Sequence, residues 1–166
     1  ELAVRGYEVT GLDLDELFLK VAREELAKRN LSACLIYADM REVPAGLEVD
    51  ATINLFTSFG YLEDDEEDMK VLRRVAGAVR PGGEFLIDTM SRDRLVRIFR
   101  PHGWYETAQG FRVLQKREFN PLTGRCYVET TRIARDGSEK QVWHSWRAYT
   151  LTELAKMLDQ AGLKAK

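Results

Sequence analysis

Three short segments carry carboxylates, small polar residues and aromatics where a chain can meet a ligand. In Val9-Thr10-Gly11-Leu12-Asp13-Leu14-Asp15 a carboxylate, Asp13, closes a short apolar run and precedes a helical pattern. A carboxylate at that place accepts two charge-assisted hydrogen bonds from a ribose diol. Asp is also favoured there simply because it helps to start a helix. Ala38-Asp39-Met40-Arg41 follows the next apolar run. Asp39 is placed to accept from an adenine amino group, and Met40 offers the base an apolar face; a loop Asp beside a packed Met is the plainer alternative. In the third segment, Asn54-Leu55-Phe56-Thr57-Ser58-Phe59-Gly60-Tyr61-Leu62, small polar residues and a glycine stand between aromatics. That composition suits a loop approaching a ligand closely, or aromatic packing beneath a loop.

A second group lies further along. Arg132, His144, Trp146 and Arg147 fall in segments of alternating polarity, and Trp104 and Tyr105 precede them. His144 is a candidate general base or substrate ligand, because imidazole exchanges protons near neutral pH. Tyr61 is the second candidate for a catalytic role. In an extended strand His144, Trp146 and Ala148 share one face, and Trp143, Ser145, Arg147 and Tyr149 the other.

The elements that must position these residues are legible in the pattern. Strands are expected at 7–14, 33–38, 51–56 and 84–90, and helices at 15–30 and 63–79. The first helix has its apolar residues at Leu17, Phe18, Val21, Ala22, Leu26 and Ala27, and Asp15 is placed to cap it. Alternation of strands and helices at this spacing implies a parallel sheet covered by helices, with ligands bound along the strands' carboxyl ends. After Met90 come a short helix, 91–100, and three alternating segments, 110–120, 125–135 and 139–149. Pro121-Leu122-Thr123-Gly124 and Asp136-Gly137-Ser138 join them as hairpin turns. Thr150-Leu151-Thr152-Glu153 is a capping box opening a helix that Gly162 ends. Residues 163–166 look like the beginning of a further strand. The division expected is 1–100 for the α/β core, 101–149 for an antiparallel three-stranded meander and 150–166 for a return to the core.

The chain has 166 residues, 45% hydrophobic and 31% charged, with a net charge of −2. That balance gives no nucleic-acid footprint, and no apolar run approaches the ~20 residues of a membrane helix. Cys34 and Cys126 are far apart in sequence and read as reduced thiols of a cytoplasmic protein; no metal site is expected.

In order and spacing, the three cofactor segments resemble the class I S-adenosylmethionine-dependent methyltransferases. The resemblance continues through the helix, Pro81-Gly82-Gly83 turn and strand of residues 72–88, and resumes at 149–163. It implies a Rossmann-like α/β fold with helices on both faces of the sheet, and S-adenosylmethionine as methyl donor. It assigns Asp13 to the ribose, with Leu14 beside it, Asp39 and Met40 to the adenine, and Leu55 and Phe56 to the methionine end. The Ser58-Phe59-Gly60-Tyr61 segment and the late meander are most similar to small-molecule N-methyltransferases, including amino-sugar and glycine-type enzymes. In that branch the meander covers the substrate pocket or builds a homodimer interface. A small-molecule methyl acceptor, an amine above all, is therefore expected. Its binding set is Phe59, Tyr61, Trp104, Tyr105, Arg132, Trp146 and Arg147.

One family signature is absent: the glycine-rich loop after the first strand. Residues 1–5 resemble the tail of the helix that follows that loop. The resemblance thus implies a truncated chain whose sheet has a gap between the strands of Val9 and Ile53, and which is inactive as an isolated monomer. Two other functions fit the same residues. One is a nicotinamide-dependent oxidoreductase, which also ends its second strand with an acid on a ribose. The other is a non-catalytic binding or oligomerisation module on a Rossmann-like frame.

Overall fold

The computed structural model describes residues 1–166. A 3-10 turn, Ala3–Arg5, leads into β1, Thr10–Asp13, and α1, Glu16–Lys28. The Asp15 side chain caps α1, accepting from the N–H groups of Leu17 and Phe18. The chain returns in β2, Cys34–Tyr37, which lies parallel to β1 with Asp13 opposite Tyr37. A second 3-10 turn, Met40–Glu42, precedes β3, Val49–Asn54; α2, Asp65–Ala78, and β4, Val79–Ile87, follow. β3 and β4 are parallel, with Asn54 opposite Ile87. Four acidic residues crowd the first turn of α2, at the positive end of its dipole, and Asp64 caps it through the Glu67 N–H.

The expected gap is present. β1 bonds only to β2 and β3 only to β4, so the parallel strands form two separate pairs. Phe85 and Ile87 of β4 pack against the main apolar cluster of α2 and α4, whereas Ile53 and Leu86 on the other face are exposed. The first pair is packed still less. Of the apolar stripe expected to bury α1, Leu17, Phe18 and Val21 are exposed, and the one buried residue of the helix, Leu19, lies outside that stripe.

After β4 the short helix α3, Arg92–Ile98, is capped by Ser91. The antiparallel insertion has four strands, not three: β5, His102–Glu106; β6, Arg112–Asn120; β7, Arg125–Ile133; and β8, Glu139–Arg147, in that spatial order. β5 escapes a periodicity argument because it is five residues long and contains Gly103; only its pairing with β6 defines it. α4, Leu151–Gln160, opens on the expected capping box of Thr150 and Glu153. Residues 163–166 form no strand. Leu163 packs against the core instead, and Lys166 bonds to Glu84 of β4 at 2.8 Å.

Two apolar clusters hold the second half together. Phe59, Met69, Leu72, Val75, Tyr149, Leu154, Met157 and Leu158 join the loop after β3 to α2 and α4. Leu95, Cys126, Val128 and Ala148 seat α3 on one face of the antiparallel sheet, termed here the inner face. Both cysteines are free, Cys34 exposed and Cys126 buried. No helix is long and apolar enough to cross a membrane.

Candidate functional site

Asp13 sits at the carboxyl end of β1, as parallel pairing with β2 requires. One carboxylate oxygen accepts from the Asp15 N–H at 2.8 Å, so Asp13 does assist the start of α1. Its other oxygen has no protein partner and is open to a ligand donor. Leu14 beside it is exposed.

Asp39 at the end of β2 is more heavily committed. It accepts from the Arg41 backbone N–H at 2.8 Å and from the Arg41 guanidinium at 3.0 and 2.6 Å. Hydrogen bonding from Arg41 holds its carboxyl below the usual range despite partial burial. Arg41 is anchored in turn by Glu67 of α2 at 2.7 Å. Asp39 is therefore a fixed anion at the sheet edge, and an adenine amino group would share it with Arg41. Met40 is half-buried and packs against the main core.

The carboxyl end of β3 is pinned to β4. The Asp88 N–H donates to the Asn54 carbonyl at 2.8 Å, and the Thr57 N–H to the Asp88 carbonyl at 3.0 Å. Phe56 and Thr57 both adopt left-handed backbone, with φ of 59° and 61°. For non-glycine residues this costs about 1–3 kcal/mol each. Leu55 stays half-buried, while Phe56 is presented to solvent at 88% exposure. Asn54 was not among the expected site residues. Its side-chain oxygen is buried without a donor, and an unpaired buried acceptor costs about 1–3 kcal/mol. A polar residue inside an otherwise apolar strand was the signal that could have found it.

The loop continues onto the antiparallel sheet. Gly60 has φ of 101°, and its carbonyl accepts from the Arg147 N–H at 2.7 Å. A Cβ there would lie 2.5 Å from the Arg147 carbonyl oxygen, so only glycine fits. This contact turns Phe59 and Tyr61 in different directions. Phe59 is fully buried against Tyr149. Tyr61 stacks on His144, ring centroids 5.9 Å apart and planes 22° from parallel. Burial, and then Cys126, pushes the Tyr61 phenol above its usual range. Arg125 fixes the next residues, donating to the Leu62 and Glu63 carbonyls at 2.7 and 3.0 Å.

The structure thus brings Tyr61 and His144 together from distant parts of the sequence. Tyr105, Arg132 and Trp146 share the inner face with His144, as the strand registers show. Trp146 packs against the cluster beneath α3. Arg132 lies over the Phe111 ring, 3.8 Å from its centroid. Three members of the expected substrate set fall elsewhere. Trp104 points from the outer face. Phe59 has no accessible surface with which to touch a substrate. Arg147 is buried in a polar network, bonded to Asp65 at 3.1 Å and Glu153 at 3.1 Å. Beside it the Tyr149 hydroxyl bonds to Asp68 at 2.7 Å and Asp65 at 3.0 Å. Burial keeps the Asp68 carboxyl above its usual range, even though Tyr149 donates to it. Arg147 and Phe59 therefore position the loop rather than line the site. Two shallow depressions of about 420 and 410 Å³ lie along the outer face, one beside Trp143 and Tyr127, the other beside Trp104 and Leu114.

A parallel-strand edge bearing an open carboxylate lies next to an antiparallel sheet bearing a Tyr–His pair, the layout of an α/β fold that binds ligands along its strand ends. Comparison with known proteins gives the family. Residues 1–83, half of the chain, match the model described as methyltransferase domain, and the chain belongs to that family. It is 28% identical over 99 residues to the putative methyltransferase YqeM of Bacillus subtilis, covering 59% of this chain and 40% of that protein. It is 31% identical over 109 residues to glycine N-methyltransferase of Rattus norvegicus, covering 57% and 37%. Among solved structures, the CcbJ methyltransferase of Streptomyces caelestis superposes with a TM-score of 0.84 at 21% identity, over 98% of this chain and 66% of that one. At that identity the likeness speaks for the fold alone, and it runs through the antiparallel insertion as well as the α/β part. The match spans about two-fifths of the length of these two curated relatives. Membership of this family sets the nicotinamide reading aside and makes S-adenosylmethionine the cofactor. The residues present fit it: the free oxygen of Asp13 and the orphaned oxygen of Asn54 are acceptors, and exposed Leu14 and Phe56 are apolar surfaces at the same edge.

Proposed function

We propose that the protein transfers a methyl group from S-adenosylmethionine to an amine of a small molecule. The stacking of Tyr61 on His144 carries this reading, because it joins the loop at the cofactor edge to the inner face of the antiparallel sheet. The name of the rat relative, an N-methyltransferase, supports the amine as acceptor. When bound, the cofactor supplies an electrophilic methyl group. The chain's residues supply the rest. Asp13 accepts from the ribose hydroxyls, Asp39 and Met40 border the base, and Leu55 and Phe56 flank the methionine end. Tyr61 and Tyr105 orient the acceptor, and an imidazole nitrogen of His144 takes the proton that the attacking amine must lose. Methyl transfer rests mainly on alignment and a deprotonated nucleophile, so one well-placed base suffices.

The free thiols of Cys34 and Cys126 support a cytoplasmic setting. The exposed Trp104 and Trp143 of the outer face support a homodimer that buries that side of the sheet. The deciding experiment is transfer of tritiated methyl from S-adenosylmethionine to a panel of primary and secondary amines. Label is expected in an amine, with loss of rate in His144→Ala but retained cofactor affinity. Transfer only to hydroxyl acceptors, or full activity in His144→Ala, would refute the assignment.

A further inference from the structure

The four strands β5 to β8 divide their charges by face. Their acidic residues, Glu106, Glu118, Glu129 and Glu139, all alternate onto the outer face. The inner face carries the cations Arg117, Arg132 and Lys140, besides His144, and no carboxylate. None of these four side chains forms an ion pair: the salt bridges of the insertion involve Arg147 alone. An unpaired cationic face opposite a mixed one is not needed for solubility, which either arrangement would serve. It does produce a positive potential over one side, the side on which α3 and Tyr61 sit.

The charges are also ordered along the strands. One cross-strand row holds Arg117, Val128 and His144, the next Gln115, Thr130 and Val142, and the next Val113, Arg132 and Lys140. Arg117 is partly spent at home, donating to the Arg100 carbonyl at 3.3 Å and to Gln115. Arg132 and Lys140 are neighbours in register and donate to no side chain. Arg132 is held over Phe111, a contact that uses none of its N–H donors. Four residues of strand separate this pair from the His144 row, roughly 13 Å at the usual rise. Between them Gln115, Thr130 and Val142 form an uncharged floor.

We propose that the methyl acceptor is an elongated molecule with an anionic group, phosphate or carboxylate, held by Arg132 and Lys140 about 13 Å from the nitrogen that Tyr61 and His144 address. This rests on the amine-methyltransferase reading for its reactive end, and it adds the chemistry of the distal end. The positive face has a second consequence: it disfavours a protonated ammonium at the reacting position, which leaves more of the amine in its nucleophilic form.

The test is calorimetric titration of the protein with inorganic pyrophosphate and, separately, with malonate. Saturable binding of either ion is expected, weakened about tenfold or more in the Arg132→Ala, Lys140→Ala double variant and partly restored in Arg132→Lys. Lys116→Ala, on the outer face, should bind as the parent does. Binding of pyrophosphate alone would identify a phosphate, and binding of both a site that reads charge. No binding to the parent, or equal loss in Lys116→Ala and the double variant, would overturn the proposal. S-adenosylhomocysteine titrated into the same variants keeps the two readings apart. Its affinity should be unchanged by the double substitution, and its failure to bind the parent would count against the methyltransferase reading while leaving the anion result intact.

Discussion

The two halves of this chain differ sharply in how they are held. Of the first 58 residues only Leu19 is buried, while both apolar clusters and the buried polar network draw on residues from 59 onward. Yet the first half carries Asp13, Asp39, Met40, Leu55 and Phe56, the residues proposed for the cofactor edge, and contains most of the family match. Recognition motifs and packing thus occupy different stretches. The topology gives the reason: β1 pairs only with β2, so α1 and its strand pair meet no neighbouring strand on the other side and their apolar residues stay exposed. The antiparallel insertion and α4 are built the other way, with long strand pairing and a dense helix contact.

The comparison is sharpest where a core residue is cut. Leu72→Ala should lower stability by about 2–5 kcal/mol, because Leu72 is fully buried. Leu17→Ala, in the exposed stripe of α1, should stay within about 0.5 kcal/mol. Equal losses in urea denaturation would show that the first half has a core of its own. Asp13→Ala should weaken binding of S-adenosylhomocysteine by about 1.5–3 kcal/mol with the fold intact, read by calorimetry. Unchanged affinity would remove Asp13 from the site. Tyr149→Phe should cost about 1–3 kcal/mol, since it strips buried Asp68 of its donor; a thermal midpoint equal to the parent's would show that the network is idle.

The smallest effect concerns acid. Burial works against the Glu153 carboxylate, but the Thr150 N–H and Arg147 outweigh it and hold its pKa at about 2, against 4.5 ordinarily. A depressed carboxylate contributes stability that is complete above the ordinary value and lost as pH falls from about 4.5 towards 2. Asp68, raised by burial, acts in the opposite sense. Thermal midpoints measured between neutrality and pH 3 should fall less steeply in Glu153→Gln than in the parent. Parallel curves would place the acid sensitivity elsewhere.

Much of this molecule is local, and local features can be read from residues in order. Asp15 capping α1, the Thr150–Glu153 box, the hairpin turns and the parallel strands ending at Asp13 and Asn54 follow from spacing and side-chain chemistry within a few residues. The face partition of β6 to β8 is equally a consequence of period two. What the sequence could not determine involves partners distant along the chain. β5 exists because β6 offers it an edge. Phe59 and Tyr61, two residues apart in one loop, part company because Gly60 docks on Arg147, so one becomes core and the other meets His144. Arg147 reads as a substrate ligand until Asp65 and Glu153 claim it, and Asn54 reads as one strand residue among several until its oxygen is found without a donor. Periodicity fixes which way a side chain points relative to its own strand; only the tertiary structure decides what waits there.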